Sequence, residues 1–452
     1  MAALSDGLAV KNDGKGVAAS SFGHVGREMA WVIVGQLVAF AGAAVGVRVL
    51  TGRMSPSAYG KLALVMTMAT MSQQVIFGPL CNAVVRFYAP SEESGTLPVY
   101  FAAVGWVYKR VVGMLIALAV MGCLAANWLR PGLAVAVVCA TVFALVSGCN
   151  SGLDSVQFAA RQRAVVAGHQ AVGQWLRFAC AIVALSILSA TESAAIVGYM
   201  VAAVIILSSQ LVFFRRGFGK DISRRFVFDD DIRVLRRRMW VYAWPFAVWA
   251  PFTWLQLSAD RWALQYYSSA ASVGLYQAMY QVGYYPMALL SGFLLQLITP
   301  ILFSRAGAGT RGASVRSARK LNNSIVLVIL GLTALAVVAA FAFHEPICGI
   351  LLAPAFRSKS WLLPWFVLSG GMFGAGQVLS LNPLMEMGSG SLLYPKVGTA
   401  VMGAVATVVF TRAAGLYGTT IAASLFALAY LVWLVVVDRH NVARARASGS
   451  VS

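Results

Sequence analysis

The chain holds 452 residues, of which 60% are hydrophobic and only 11% charged, with a formal net charge of +20. An ordinary soluble domain is about one quarter charged, so water is not the solvent of most of this surface. In such a chain the basic excess reads as loop lysines and arginines that fix orientation in a bilayer, and no nucleic-acid partner is expected.

Residues 1–28 form a polar cytoplasmic segment with no A-x-A-like cleavage site after the first apolar run, so the first span is expected to be retained as an anchor. Runs uncharged but for Arg177 then predict spans over 29–47, 62–81, 111–129, 133–150, 171–190 and 194–214, an N-terminal bundle of six helices over 29–214. Each approaches or exceeds the ~18 residues with which a helix crosses about 30 Å of hydrocarbon. The ten-residue alternation of a membrane β-barrel is absent. Residues 215–238 break the pattern with nine Lys or Arg against four Asp and read as a basic cytoplasmic linker. Spans over 239–259, 274–302, 321–343, 361–381, 397–411 and 416–437 come next, a second six-helix bundle over 239–437, and 438–452 is a cytoplasmic tail.

One stretch, 262–304, has 43 residues without a formal charge and is long enough for two spans. Loop charge decides for one. With a single span there, 26 Lys and Arg fall on the side of both termini, eight on the other and Arg177 within a span, whereas two spans would move Arg305, Arg311, Arg316, Arg319 and Lys320 outside. The expectation is an all-α integral membrane protein with about twelve transmembrane helices in two bundles, both termini cytoplasmic.

The halves echo each other at an offset of about 213 residues: Arg48 with Arg261, Tyr59-Gly60 with Val273-Gly274, Pro79 and Arg86 with Pro300 and Arg305. Six spans per half is an even number, which gives repeats of the same orientation about an axis along the membrane normal. Two such bundles rocking about a midplane site form a transporter architecture.

The segments RVLTGRMSPSAYGKLALV from Arg48, FGPLCNAVVRFYAP from Phe77 and SADRWALQYYSSAASVGLYQAMYQ from Ser258 resemble the oligosaccharide flippases. These are the Wzx-like polysaccharide biosynthesis membrane proteins of the multidrug/oligosaccharidyl-lipid/polysaccharide (MOP) exporter superfamily. The resemblance implies a bacterial inner-membrane protein that moves a lipid-linked oligosaccharide, usually on undecaprenyl diphosphate, to the periplasmic leaflet for surface or exopolysaccharide synthesis. It implies membrane lipids as partners, with glycosyltransferases and a polymerase of the same pathway as further candidates. A sugar and diphosphate cannot cross hydrocarbon unaided, so such a protein needs a polar, cationic cavity between its halves.

The candidate cavity cations are Arg48 and Arg261 at the outer ends of the first and seventh spans, and Arg86 and Arg177 toward the cytoplasmic side. Guanidinium groups bind phosphate oxygens bidentately, and the duller alternative is snorkelling or obedience to the positive-inside rule. Asp260, Asp154 and Glu386 are candidate ion-coupling carboxylates, with simple hydration the alternative. Gln277, Tyr280, Gln281 and Tyr284 share one helix face and are candidate sugar-facing groups or interfacial anchors. Pro245 and Pro251 inside the seventh span mark a hinge or a static kink. Gly370 and Gly374 make a small-xxx-small packing surface.

No nucleotide-binding loop is present, the four histidines lack metal spacing, and the six cysteines form no CxxC pair. No cofactor or metal is expected, and a proton or sodium gradient is the candidate driving force. Two other functions compete: a MATE-like exporter of small cations, which favours carboxylates in its cavity, and a membrane polymerase or ligase. The enzyme reading lacks support, since the outer loops expected at 344–360 and 260–273 are short and hold no acid–base constellation.

Overall fold

The computed structural model describes residues 14–129, 131–222, 228–306, 312–385 and 393–447. Among them regular structure is helical throughout, in twelve rods. The first six are α1 (Gly14–Arg53), α2 (Pro56–Ser72, continued by Gln73–Phe77 and Gly78–Glu93), α3 (Leu97–Leu129), α4 (Pro131–Ala159), α5 (Arg163–Ile187) and α6 (Glu192–Ile222). Then come α7 (Asp229–Tyr267), α8 (Ala270–Met279, Tyr280–Tyr284 and Tyr285–Ala306), α9 (Gly312–Leu351) and α10 (Pro354–Leu362, Leu363–Leu379 and Leu381–Met385). The last stretch, Leu393–Ala447, turns back on itself at Ala414 and Gly415, where Gly415 adopts φ 55°. Its limbs pair antiparallel, with Gly398 against Trp433 and Gly403 against Phe426, and form α11 (393–413) and α12 (416–447).

Nine continuous helical stretches among the described residues are long and apolar enough to cross a membrane, and one of them, Tyr394–Ala443, contains this reversal. The uncharged stretch 262–304 resolves as expected: its first residues finish α7 and the rest is one rod, α8. Two expected loops are corrected. Helix α7 continues to Tyr267, and α9 continues past a kink at Phe343 to Leu351 before the 3₁₀ segment Pro354–Leu362. A hydropathy reading stops at the first charge, whereas α7 runs on through buried Arg261, Ala263 and Leu264, and α9 through buried Cys348.

The repeat is visible in side-chain detail. Ser55 caps α2, its hydroxyl accepting from the Ala58 N–H, and Ser269 caps α8 in the same way through Ser272. Five residues beyond each cap, Gly60 and Gly274 bring the two helices into backbone contact. A Cβ on Gly60 would run into the Ala270 carbonyl, and one on Gly274 into the Pro56 carbonyl. The reciprocity is that of a two-fold axis passing between α2 and α8, and only glycine leaves room for it.

The halves meet chiefly at this end. Val47, Leu50, Tyr59 and Leu62 of the first half share one buried cluster with Leu264, Val273, Tyr276, Leu352 and Phe356 of the second. Helix α7 does not belong wholly to the second half. Its first turns pack Met239 and Ala243 among Leu80, Ala83, Val84, Tyr100 and Phe218 of the first bundle, while its far end lies against α8 and the final helical hairpin. Pro245 and Pro251 lie between these regions, and the rod stays continuous through both.

Candidate functional site

Two polar cavities meet at Arg177 and Tyr199, the smaller between the halves and the larger within the first bundle where Tyr285 and Leu289 of α8 border it. The one nearer the glycine contact, about 300 Å³, is lined by Tyr59, Thr67, Thr70 and Gln74 of α2, Ser258 and Arg261 of α7, and Gln277, Tyr280 and Gln281 of α8. The other, about 380 Å³, extends toward the arginine-rich end between Gln36 of α1, Asn150 and Asp154 of α4, Gln170 and Gln174 of α5, Gln210 of α6 and Tyr285 of α8.

Arg261 is buried, with 6% of its surface exposed. Its Nη1 lies 2.9 Å from Asp260 Oδ1 and donates to the Leu257 carbonyl at 2.7 Å, and its Nε donates to Gln277 Oε1 at 2.7 Å. The guanidinium lies over the Tyr280 ring at 4.5 Å, and Tyr280 stacks on Tyr284 at 4.4 Å. Asp260 accepts a further hydrogen bond from the Tyr276 hydroxyl at 2.6 Å. A buried ion pair survives only when its remaining donors and acceptors are matched, and this one is matched by a glutamine, a tyrosine and a backbone carbonyl. The arginine expected at the outer end of a span, beside a candidate ion-coupling aspartate, is instead buried and paired with that aspartate, the arginine in the cavity wall and Asp260 behind it. It lies within α7 because that helix runs on beyond the expected end.

Arg177 has no such partner. Among the described residues no carboxylate lies within ion-pairing distance of it. It lies over Tyr199 at 4.1 Å and Phe143 at 5.6 Å, and its Nε is buried without a hydrogen bond. Asp154 lines the same cavity, accepting from Gln210 at 2.5 Å and Gln170 at 3.4 Å.

The remaining candidates separate. Arg48 donates to the Leu352 carbonyl at the end of α9, one of the links that join the halves at the glycine-contact end. It lines neither cavity. Arg86 is exposed on α2 and also lines neither, while Glu386 lies outside the described residues. The shared face expected for Gln277, Tyr280, Gln281 and Tyr284 is only partly kept. Tyr280–Tyr284 is a π turn, whose extra residue rotates the helix face beyond it, and Tyr284 leaves the cavity wall for a small recess beside Asp260, Gly403 and Thr407. Gly370 and Gly374 do pack closely, against the Tyr284 carbonyl and Ser291 of α8.

Several lining residues escaped the sequence reading: Asn150, Gln170, Gln174, Gln210, Thr67 and Tyr199. A signal for some of them was present. Gln170, Gln174 and Arg177 fall at helical spacing in α5, as do Asn150 and Asp154 in α4, so each pair or triplet forms a polar stripe on an otherwise apolar rod.

A third cavity, about 440 Å³, opens beside the polar pair between α1 and α8. Apart from Gln36 its lining is apolar or aromatic, with Ile33, Leu37, Phe40, Leu289 and Phe293 among it, and it shares Gln36, Phe40, Tyr285 and Leu289 with the larger polar cavity.

The long apolar helices define a multi-pass α-helical membrane protein, and its fold is like that of the MOP-superfamily transporters. The chain is similar to the lipid II flippase MurJ in an inward closed conformation, at 11% identity and TM-score 0.63 over 90% of this chain and 86% of that one. It is similar to a point mutant of the Vibrio cholerae MATE transporter VcmN, at 13% identity and TM-score 0.60 over 92% and 96%. A Pyrococcus furiosus MOP superfamily transporter, described as having a binding pocket of reverse polarity, shares 13% identity at TM-score 0.55 over 90% and 95%. A search of the curated proteins returns no match. The profile of the polysaccharide biosynthesis protein family matches residues 25–305, and the chain belongs to that family.

Proposed function

We propose that this protein is a flippase for a lipid-linked oligosaccharide in the bacterial inner membrane, working by alternating access of its two bundles. One observation carries the reading: an arginine-bearing polar cavity of the first bundle, continuous with the cleft between the halves, shares a wall with an apolar groove between α1 and α8. Such a pairing suits a cargo with a polar, anionic head and a hydrocarbon tail. The head would leave water for Gln, Tyr and Arg partners while the tail stays beside Phe40 and Leu289. In this reading Arg177, without a carboxylate partner, meets the phosphates, and the Arg261, Gln277 and Tyr280 wall meets sugar hydroxyls and ring faces. Asp154 is the candidate coupling group, for a proton or a sodium ion. No enzyme chemistry is assigned to the chain.

The test is the sidedness of lipid-linked oligosaccharide in membranes of cells lacking the gene. The reading expects accumulation on the cytoplasmic face with loss of surface glycan, restored by the wild-type chain. Normal sidedness and normal glycan would overturn it, and heightened sensitivity to small cationic compounds in the same cells would support a MATE-like exporter instead.

A further inference from the structure

Outside the cleft, α3 and α7 converge at the arginine-rich end on one tryptophan. The Arg110 guanidinium lies 4.7 Å from the Trp106 ring centroid and that of Arg236 lies 3.7 Å from it, so two cations from separate helices share a single indole. Trp106 is 41% exposed. Among the described residues neither arginine has a carboxylate within ion-pairing distance, and the nearby Asp230 is paired with Arg233. Each guanidinium offers five N–H donors, and the ring face uses none of them as an ordinary hydrogen bond. Two like charges held around one ring repel each other, and the arrangement gains most from an anion within reach of both.

The depth of the pair identifies the anion. Arg110 immediately precedes the uncharged run of α3 and Arg236 lies three residues before that of α7, so both sit at the edge of the hydrocarbon, the level of lipid phosphates. From that edge two exposed apolar ridges run down the rods: Met114 and Leu118, at helical spacing beyond Arg110, and Trp240 and Trp244, at the same spacing beyond Arg236. A free phosphate would use the arginines and leave the ridges bare. A lipid would use both.

We propose that Arg110, Arg236 and Trp106 form a binding site for an anionic phospholipid, its phosphodiester between the two guanidinium groups and its acyl chains along the α3 and α7 ridges. The site lies outside the cleft and does not depend on which cargo the cleft carries. Because the first turns of α7 pack in the first bundle, an occupied site ties that end of α7 to α3 and leaves the segment beyond Pro245 and Pro251 to the second bundle.

The experiment is lipid binding by the purified full-length protein, delipidated and then titrated with phosphatidylglycerol or phosphatidylcholine, and read by native mass spectrometry. The wild type is expected to retain phosphatidylglycerol preferentially. The R110Q/R236Q double variant should lose about tenfold or more in that preference, since each surface cation contributes about a factor of five toward an anionic lipid. The charge-conserving R110K/R236K variant should keep most of it, which separates loss of charge from loss of fold. Equal retention of both lipids by the wild type, or unchanged preference in R110Q/R236Q, would overturn the proposal. Displacement of the lipid by millimolar glycerol 3-phosphate would overturn it in favour of a soluble-anion site.

Discussion

At the scale of single residues, the two arginines of the cleft differ in what neutralises them. Arg261 and Asp260 lie in contact with 7% and 14% of their side chains exposed, so removing one partner strands the other charge away from water. R261A is therefore expected to destabilise the protein by about 3–5 kcal/mol, and R261M combined with D260N to recover most of that loss. Thermal unfolding in detergent checks it; equal destabilisation by the single and double variants would show that the pair is not the unit. Arg177 has no carboxylate beside it, only the Tyr199 and Phe143 rings and the Met66 sulfur, so R177Q strands no opposite charge and is expected to fold normally. Asp154, held by two glutamines in the open cavity, leads to a separate expectation: D154N should leave cargo binding intact while abolishing the response of transport to an imposed ion gradient. Transport in proteoliposomes with imposed proton or sodium gradients measures this, and an unaltered gradient response would remove Asp154 from coupling. The sequence singled out all of these charges, because an ionisable group in an apolar run is conspicuous. Which of them is paired could not be read from it, since Gln277 and Tyr276, sixteen residues from Arg261 and Asp260, approach them only through the α7–α8 packing.

At the scale of elements, the contact of α2 with α8 is set by two glycines in reciprocal positions. Substituting Gly60 or Gly274 puts a side chain against a backbone carbonyl, which cannot move aside as a flexible side chain would. G60V is expected to weaken closure of this end by about 1–3 kcal/mol, the usual cost of overpacking. A cysteine introduced at Leu62, on the cavity wall beside the contact, should then react with an impermeant maleimide added on the side of the membrane that this end faces in G60V but not in the parent. Identical labelling of the two would refute the gate. The likeness of the two glycine segments was legible in the sequence as a short repeat. That the repeated segments touch was not, because a repeat gives equivalence without relative position. The π turns show the same boundary: Gln73–Phe77 and Tyr280–Tyr284 each lie within a largely apolar rod, and their extra residue carries no local signature.

At the scale of the whole molecule, the glycine-contact end is bound shut across the halves. Arg48 bonds to the Leu352 carbonyl, the Ala353 N–H donates to Thr51 Oγ1 at 3.2 Å, and Trp254 and Trp262 donate to Thr67 at 2.7 and 3.0 Å. Alternating access requires these contacts to part. A T51C/A353C pair, made in a background without the six native cysteines, is expected to cross-link and to stop transport until reduced. Full transport by the cross-linked protein would mean that the halves do not separate here.

The solvent and the number of rods were legible in the amino-acid order, because hydrocarbon demands long uncharged helices. So were the ionisable residues, whose cost in an apolar setting makes them stand out. Tertiary packing settled which of those charges meet, which end is closed, and that α7 belongs to both bundles. Those outcomes rest on contacts such as Arg48 with Leu352 and Trp254 with Thr67, formed between residues far apart in the chain. Apolar periodicity says which face of a helix avoids water, and in a bilayer nearly every face does, so the choice of neighbour falls to glycine fit, ring stacking and buried hydrogen bonds.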